Sequence, residues 1–202
     1  KINPFSVLHE IVRQRNLQWA MALMVTLTMA GFFVVPFISP YMVANIGFTE
    51  AELSYIYLFG GLATAFTSQW TGKLADKYGK QRIFAFAALL SLGPILIITN
   101  LPPLEHYLVL IITTFFFIFF GARFVPAMSL ITSSVEPRLR GSFMSINSSV
   151  QQLSAGLASF SAGYIVKEAA SGQLLHYSWV GFVSCAITLT AVWVVRHLKA
   201  VG

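Results

Sequence analysis

The chain has 202 residues, 56% hydrophobic and only 10% charged, with a mean hydropathy of +0.74. Soluble domains carry about 25% charged residues, so a soluble enzyme is excluded, as are intrinsic disorder and, with one cysteine, a disulfide-stapled secreted fold. A formal net charge of +6 would suggest nucleic acid in a soluble chain, but in so apolar a chain the basic residues are read first as topology.

Residues 1–16 are polar. Asn3 and Pro4 read as a helix cap and first turn, and Phe5, Leu8 and Val12 then share a face. This segment is expected to be a short amphipathic helix on the cytoplasmic surface, or a frayed tail. Six apolar segments follow, at about 17–44, 52–72, 82–99, 107–134, 142–166 and 178–196. Each approaches the roughly 20 residues that a bilayer core requires. The expected fold is an all-α membrane protein with a six-span bundle over residues 17–202.

Glu10, Glu50, Glu52, Asp76, Glu105, Glu136 and Glu168 all fall outside the apolar middles of these segments. Of the 13 cations, Lys1, Arg13, Arg15, Lys73, Lys77, Lys80, Arg82, Arg138, Arg140, Arg196 and Lys199 fall on one side. Lys167 alone falls on the other, and Arg123 lies inside the fourth segment. The positive-inside bias therefore places both termini in the cytoplasm. Trp19, Trp70 and Trp193 on that side, with Tyr55, Tyr107 and Trp179 on the other, fit interfacial aromatic belts. Cys185 sits in an apolar run and reads as a small hydrophobe.

Between the second and third segments stands Gly72-Lys73-Leu74-Ala75-Asp76-Lys77-Tyr78-Gly79-Lys80-Gln81-Arg82. Gly72 permits close helix approach and Gly79 a tight reversal; Asp76 can accept from helix-terminal amides, and the cations hold the loop in the cytoplasm. The segment resembles the G-x-L-x-D-[RK]-x-G-[RK]-x-[RK] signature of the major facilitator superfamily, with Lys77 for the commoner Arg. After the fourth segment, Glu136-Pro137-Arg138-Leu139-Arg140-Gly141 is similar to the P-x-x-R-G run that the family places before its next helix.

The resemblance implies one half of a twelve-span transporter, built from two inverted three-helix repeats. The amphipathic entry segment and Phe37-Ile38-Ser39-Pro40-Tyr41 are similar to the family's second half, so this chain is read as the C-terminal half. A faint internal echo accompanies it: Val35-Pro36-Phe37-Ile38-Ser39 and Val125-Pro126-Ala127-Met128-Ser129 lie 90 residues apart. The family arrangement also implies that Asp76 caps a helix of the absent half and so stabilises one access state. Glu136 is expected to pair with Lys80 or Arg82 as a cytoplasmic charge network, or to be the one acid of an ordinary positive-inside loop.

An ionisable side chain inside a span marks a functional site by default, and Arg123 is the one candidate. It lies about 11 residues, roughly 16 Å, from the cytoplasmic end of its helix, and Pro126 leaves the Ala122 carbonyl short of a donor. Arg123 is expected either to face the central cavity, contacting an anionic or polyol solute or a carboxylate of the other half, or to be a structural pairing. In the fifth segment Asn147, Gln151, Ser154 and Ser161 share one face, and Ser148, Gln152, Ala155, Ser159 and Gly163 form a small and polar stripe beside it. Asn147 and Gln151 border the cavity or pack on a neighbouring helix. Phe116 and Phe120 share a face with Arg123 and either line the path or pack.

The functional reading is secondary transport by alternating access, with export of a drug-like or sugar-like solute. The alternative is a half-sized homodimer or a non-transporting membrane sensor. No catalytic constellation, metal cluster or cofactor is expected, because no span contains an acid or a buried His. A coupling ion, H⁺ or Na⁺, is not identifiable. The expected partners are the bilayer, the N-terminal six-helix half and a small solute, with no nucleic acid. The expected location is a bacterial inner membrane.

Overall fold

The computed structural model describes residues 13–199. Most of the expected surface helix, residues 1–12, lies outside the described residues. Helix α1 spans Arg15–Tyr41 and runs on through a π-helical turn, Met42–Ile46, to Gly47 in the left-handed region. Pro36 and Pro40 each remove an amide donor from this end of α1. Helix α2, Glu50–Tyr78, opens with a reciprocal cap: the Thr49 hydroxyl accepts from the Glu52 amide, and the Glu52 carboxylate accepts from the Thr49 amide. Helix α3 spans Lys80–Thr99, α4 His106–Ala122 and α5 Phe124–Ser133. Helix α6, Arg140–Ile165, leads through paired two-residue strands β1 (Lys167–Glu168) and β2 (Leu174–Leu175) to α7, Tyr177–Val195.

Four stretches are long and apolar enough to cross a membrane: Arg15–Ile46, Lys80–Thr99, His106–Ser133 and Tyr177–Val195. Helices α2 and α6, of 29 and 26 residues, have the length but not the apolarity. The expected fourth span is interrupted at Arg123, where Pro126 deprives the Ala122 carbonyl of its helical donor.

Helix α1 packs most extensively on α7 and α6, α4 on α2 and α3, and α3 on α7. Among the described residues four glycines permit close approaches: Gly181 of α7 against Thr99, Gly60 of α2 against Phe117, and Gly121 and Gly31. A Cβ at Gly31 of α1 would stand 2.7 Å from Phe120 Cζ, and one at Gly121 of α4 would collide with Thr64 of α2. Thr64 also ties those helices polarly, its hydroxyl donating to Gly60 and Phe117 carbonyls. Two apolar clusters stack along the bundle. One gathers Leu23, Met24, Phe84, Leu130, Phe143 and Val195, and the other Val34, Ile38, Ile56, Ile95, Phe116 and Val180.

The ends are held by side chains. At one end the Asn16 amide donates to Ser134 and Lys199 carbonyls, at 3.2 and 2.8 Å, and accepts from the Lys199 amide at 2.9 Å. The Gln81 amide donates to the Leu198 carbonyl. At the other end Asn45, in the π turn, exchanges two hydrogen bonds with Leu174 of β2, and His106 pairs with Glu52 at 3.0 Å.

Candidate functional site

The signature segment is helix on both sides of one residue. Gly72 to Tyr78 complete α2, Gly79 alone makes the reversal at φ 96°, and Lys80 begins α3. Gly72 is half-buried, and a Cβ there would meet Val125 at an ordinary 3.6 Å. Asp76 is exposed on the last turns of α2, and no side chain caps the N-terminus of α3. Asp76 therefore does not cap the next helix within this bundle. Lys77 lies over the Tyr78 ring at 5.0 Å.

The expected pairing of Glu136 with Lys80 or Arg82 is not formed. Glu136 and Arg82 are exposed, Lys80 is half-buried, and among the described residues the one ion pair is His106–Glu52. The short run Glu136–Leu139 turns back on itself, with the Leu139 amide bonded to the Glu136 carbonyl, which leaves the carboxylate in solvent. Arg140, at the head of α6, donates from Nη2 to the Val135 carbonyl at 3.4 Å; its Nε is buried without a partner, and Gly141 beside it is exposed.

Arg123 is 1% exposed. The helix break turns it into the bundle towards α7, where Nη1 donates to Thr188 Oγ1 at 2.9 Å. Its guanidinium carbon lies 4.3 Å from the centroid of the Phe120 ring, and Nη2 has no partner. Phe120 in turn stacks on Phe116 at 5.2 Å and fills the space beside Gly31. Gly31, Phe120, Arg123 and Thr188 thus form one column across α1, α4 and α7. Phe116 is fully buried and Phe120 half-buried. Thr188 went unnoticed in the sequence because a hydroxyl in an apolar helix usually bonds its own backbone, as Thr67 and Ser68 do here.

Helix α6 buries Asn147, the packing alternative of the two its sequence left open. Asn147 is 1% exposed, with neither amide oxygen nor nitrogen partnered, and Gln151 is half-buried. In the neighbouring stripe Ser148, Gln152 and Gly163 are exposed, whereas Ala155 is buried and Ser159 is half-buried, its hydroxyl donating to the Phe32 carbonyl of α1 at 3.4 Å. On α2, Gly61, Ala65 and Gln69 are exposed in the same manner.

The sequence profile of the Major Facilitator Superfamily matches residues 21–200. An uncharacterized MFS-type transporter of Bacillus subtilis (strain 168), YbcL, is 23% identical over 190 residues, covering 93% of this chain and 47% of that protein. The chain thus spans about half the length of this curated relative. No solved structure matches the chain. The match over almost every described helix, together with four membrane-long apolar helices, shows that the chain is an integral membrane protein and belongs to the major facilitator superfamily, a family of transporters rather than enzymes.

Proposed function

We propose that the chain is the C-terminal six-span half of a secondary transporter that works by alternating access and exports a small organic solute. One observation carries this reading. The two long helices that are not apolar enough to cross a membrane unaided, α2 and α6, are those with exposed small and polar stripes. At membrane depth Gln69, Ser148 and Gln152 must face protein or water. A second half seated against α2 and α6, with a water-filled path between, gives both stripes their environment. The relative's length, about twice the matched span, supports the same arrangement.

The packing pattern supports an inverted repeat of α1–α3 and α4–α7. Exchanging α1 with α4, α2 with α6 and α3 with α7 maps the contacts of α1 with α6 and α7 onto those of α4 with α2 and α3. Ser148, Gln152 and Gln151 then border the path, and Phe120, Arg123 and Asn147 lie one layer beneath. Arg123 Nη2 and the Asn147 amide are unpartnered polar groups to which an anionic or polyol solute gains access when the helices rock. Asp76 and the α6 N-terminus around Arg140 and Gly141 meet the other half at its cytoplasmic gate. A bacterial inner membrane with both termini cytoplasmic completes the reading.

The test is flux by the complete protein in proteoliposomes under a proton or sodium gradient, against a panel of sugars and amphiphilic organic anions. Gradient-dependent flux that Gln152→Leu lowers at least tenfold is expected. Flux unchanged by both Gln152→Leu and Arg123→Gln removes α6 and the Arg123 column from the path.

A further inference from the structure

An apolar groove and a basic cavity meet at Tyr78. The groove, of about 430 Å³, runs between α2, α3 and α4 and is walled by Trp70, Leu74, Phe86, Leu90 and Phe119, with Tyr78 at its end. Trp70 and Phe86 are exposed and face the surroundings of the bundle. From Trp70 to Tyr78 the helix rises about 12 Å, enough to seat a substantial part of an acyl chain. The cavity, of about 460 Å³, is lined by Tyr78, Gly79, Lys80, Gln81, Arg82, Leu130 and Lys199. It has three cations and no carboxylate. The nearest acid along the chain, Asp76, is not among its walls.

Two features show that this cavity is built. Lys199 comes from the opposite end of the described chain and is held by the paired hydrogen bonds between its backbone and Asn16, while Gln81 binds the preceding Leu198 carbonyl. The cavity also contains the first turn of α3, whose N-terminus has no side-chain cap and no acidic residue. That end carries the positive pole of the helix dipole and free amides, which favour an anion. Three cations around one cavity, joined end to end with an apolar groove, match an anionic amphiphile. A free phosphate would use only half of the surface.

We infer that this groove and cavity form a specific site for one anionic glycerophospholipid, with its phosphate among Lys80, Arg82 and Lys199 and an acyl chain between α2, α3 and α4. The occupant bridges the α2–α3 turn to the segment after α7. The inference needs the membrane placement of the bundle but not its transport activity.

The experiment is native mass spectrometry of the complete protein released from nanodiscs of equal phosphatidylglycerol and phosphatidylcholine. One phosphatidylglycerol retained in preference to phosphatidylcholine is expected. Arg82→Gln and Lys199→Gln should each lower that preference about fivefold, the effect of one basic residue at an anionic surface. Asn16→Ala changes no charge but frees Lys199, and should lower the preference as well. Leu90→Trp, which fills the groove, should reduce retention of the diacyl lipid. Equal retention of the two lipids by the unaltered protein overturns the site without any variant having to fold. Displacement of the lipid by glycerol 3-phosphate at the same concentration would mark a soluble-phosphate site instead and overturn the lipid assignment. Lost flux with lipid preference intact would remove the transport reading and leave this site standing.

Discussion

Arg123 holds its place by one hydroxyl and one ring. Its Nη1 has Thr188 at 2.9 Å, its π contact is Phe120, and Nη2 is unpartnered. Removing the hydroxyl should therefore leave a buried guanidinium with no hydrogen-bonding side chain, at a cost of about 1 to 3 kcal/mol. Thr188→Val is expected to lower the Tm of the solubilised protein, and Thr188→Ser to restore it. An unchanged Tm in Thr188→Val would show that the contact adds nothing. The same column predicts that Gly31→Val, which forces a branched side chain into Phe120, destabilises by about 1 to 3 kcal/mol. Phe120→Leu should recover part of that loss in the double variant, read from the same melting curves. Asn147 separates packing from function: with both amide atoms buried and unpartnered, Asn147→Leu should be neutral or stabilising in the melt. On the reading proposed here it should nevertheless depress flux. A destabilised Asn147→Leu would reveal partners that the geometry does not contain.

The helices were legible where charged residues or prolines bracket the segment. The boundaries of α3, α6 and α7 agree with the segments at 82–99, 142–166 and 178–196 to within about two residues, the usual uncertainty of helix ends. The signature segment was read as a loop because Gly, Lys and Asp cluster there, yet seven of its residues extend α2 and only Gly79 leaves the helix. Glycine is cheap at φ 96°, whereas a side chain there costs about 1 to 3 kcal/mol. Gly79→Ala should thus lower the Tm more than Gly141→Ala, which meets nothing within 4 Å at an ordinary backbone angle. Equal effects would deny that the reversal depends on glycine. The break at Arg123 was half legible, since Pro126 announces a disturbed carbonyl but not the direction in which the arginine turns. On α6, spacing alone separated two polar faces, but not which is buried. That choice depends on the docking of α1, a tertiary fact that no local pattern encodes.

At the scale of the molecule, composition and the two loop motifs identified the class of protein, and the family match over residues 21–200 agrees. On the reading proposed here the polar stripes of α2 and α6 face something outside this chain. Four stretches are long and apolar enough to cross a membrane; on that reading α2 and α6 cross as well, with a neighbour to cover them. The central claim is that those two helices border a water-filled path between halves. Its most direct test is reaction of Ser148→Cys and Gln152→Cys with a membrane-impermeant maleimide in the complete protein, on a Cys185→Ser background. Phe86→Cys, 65% exposed on α3, serves as the lipid-facing control. Faster labelling at both α6 positions, changed by a transported solute, is the predicted result. Labelling at Ser148 and Gln152 as slow as at Phe86 would place the α6 stripe in lipid and contradict the account.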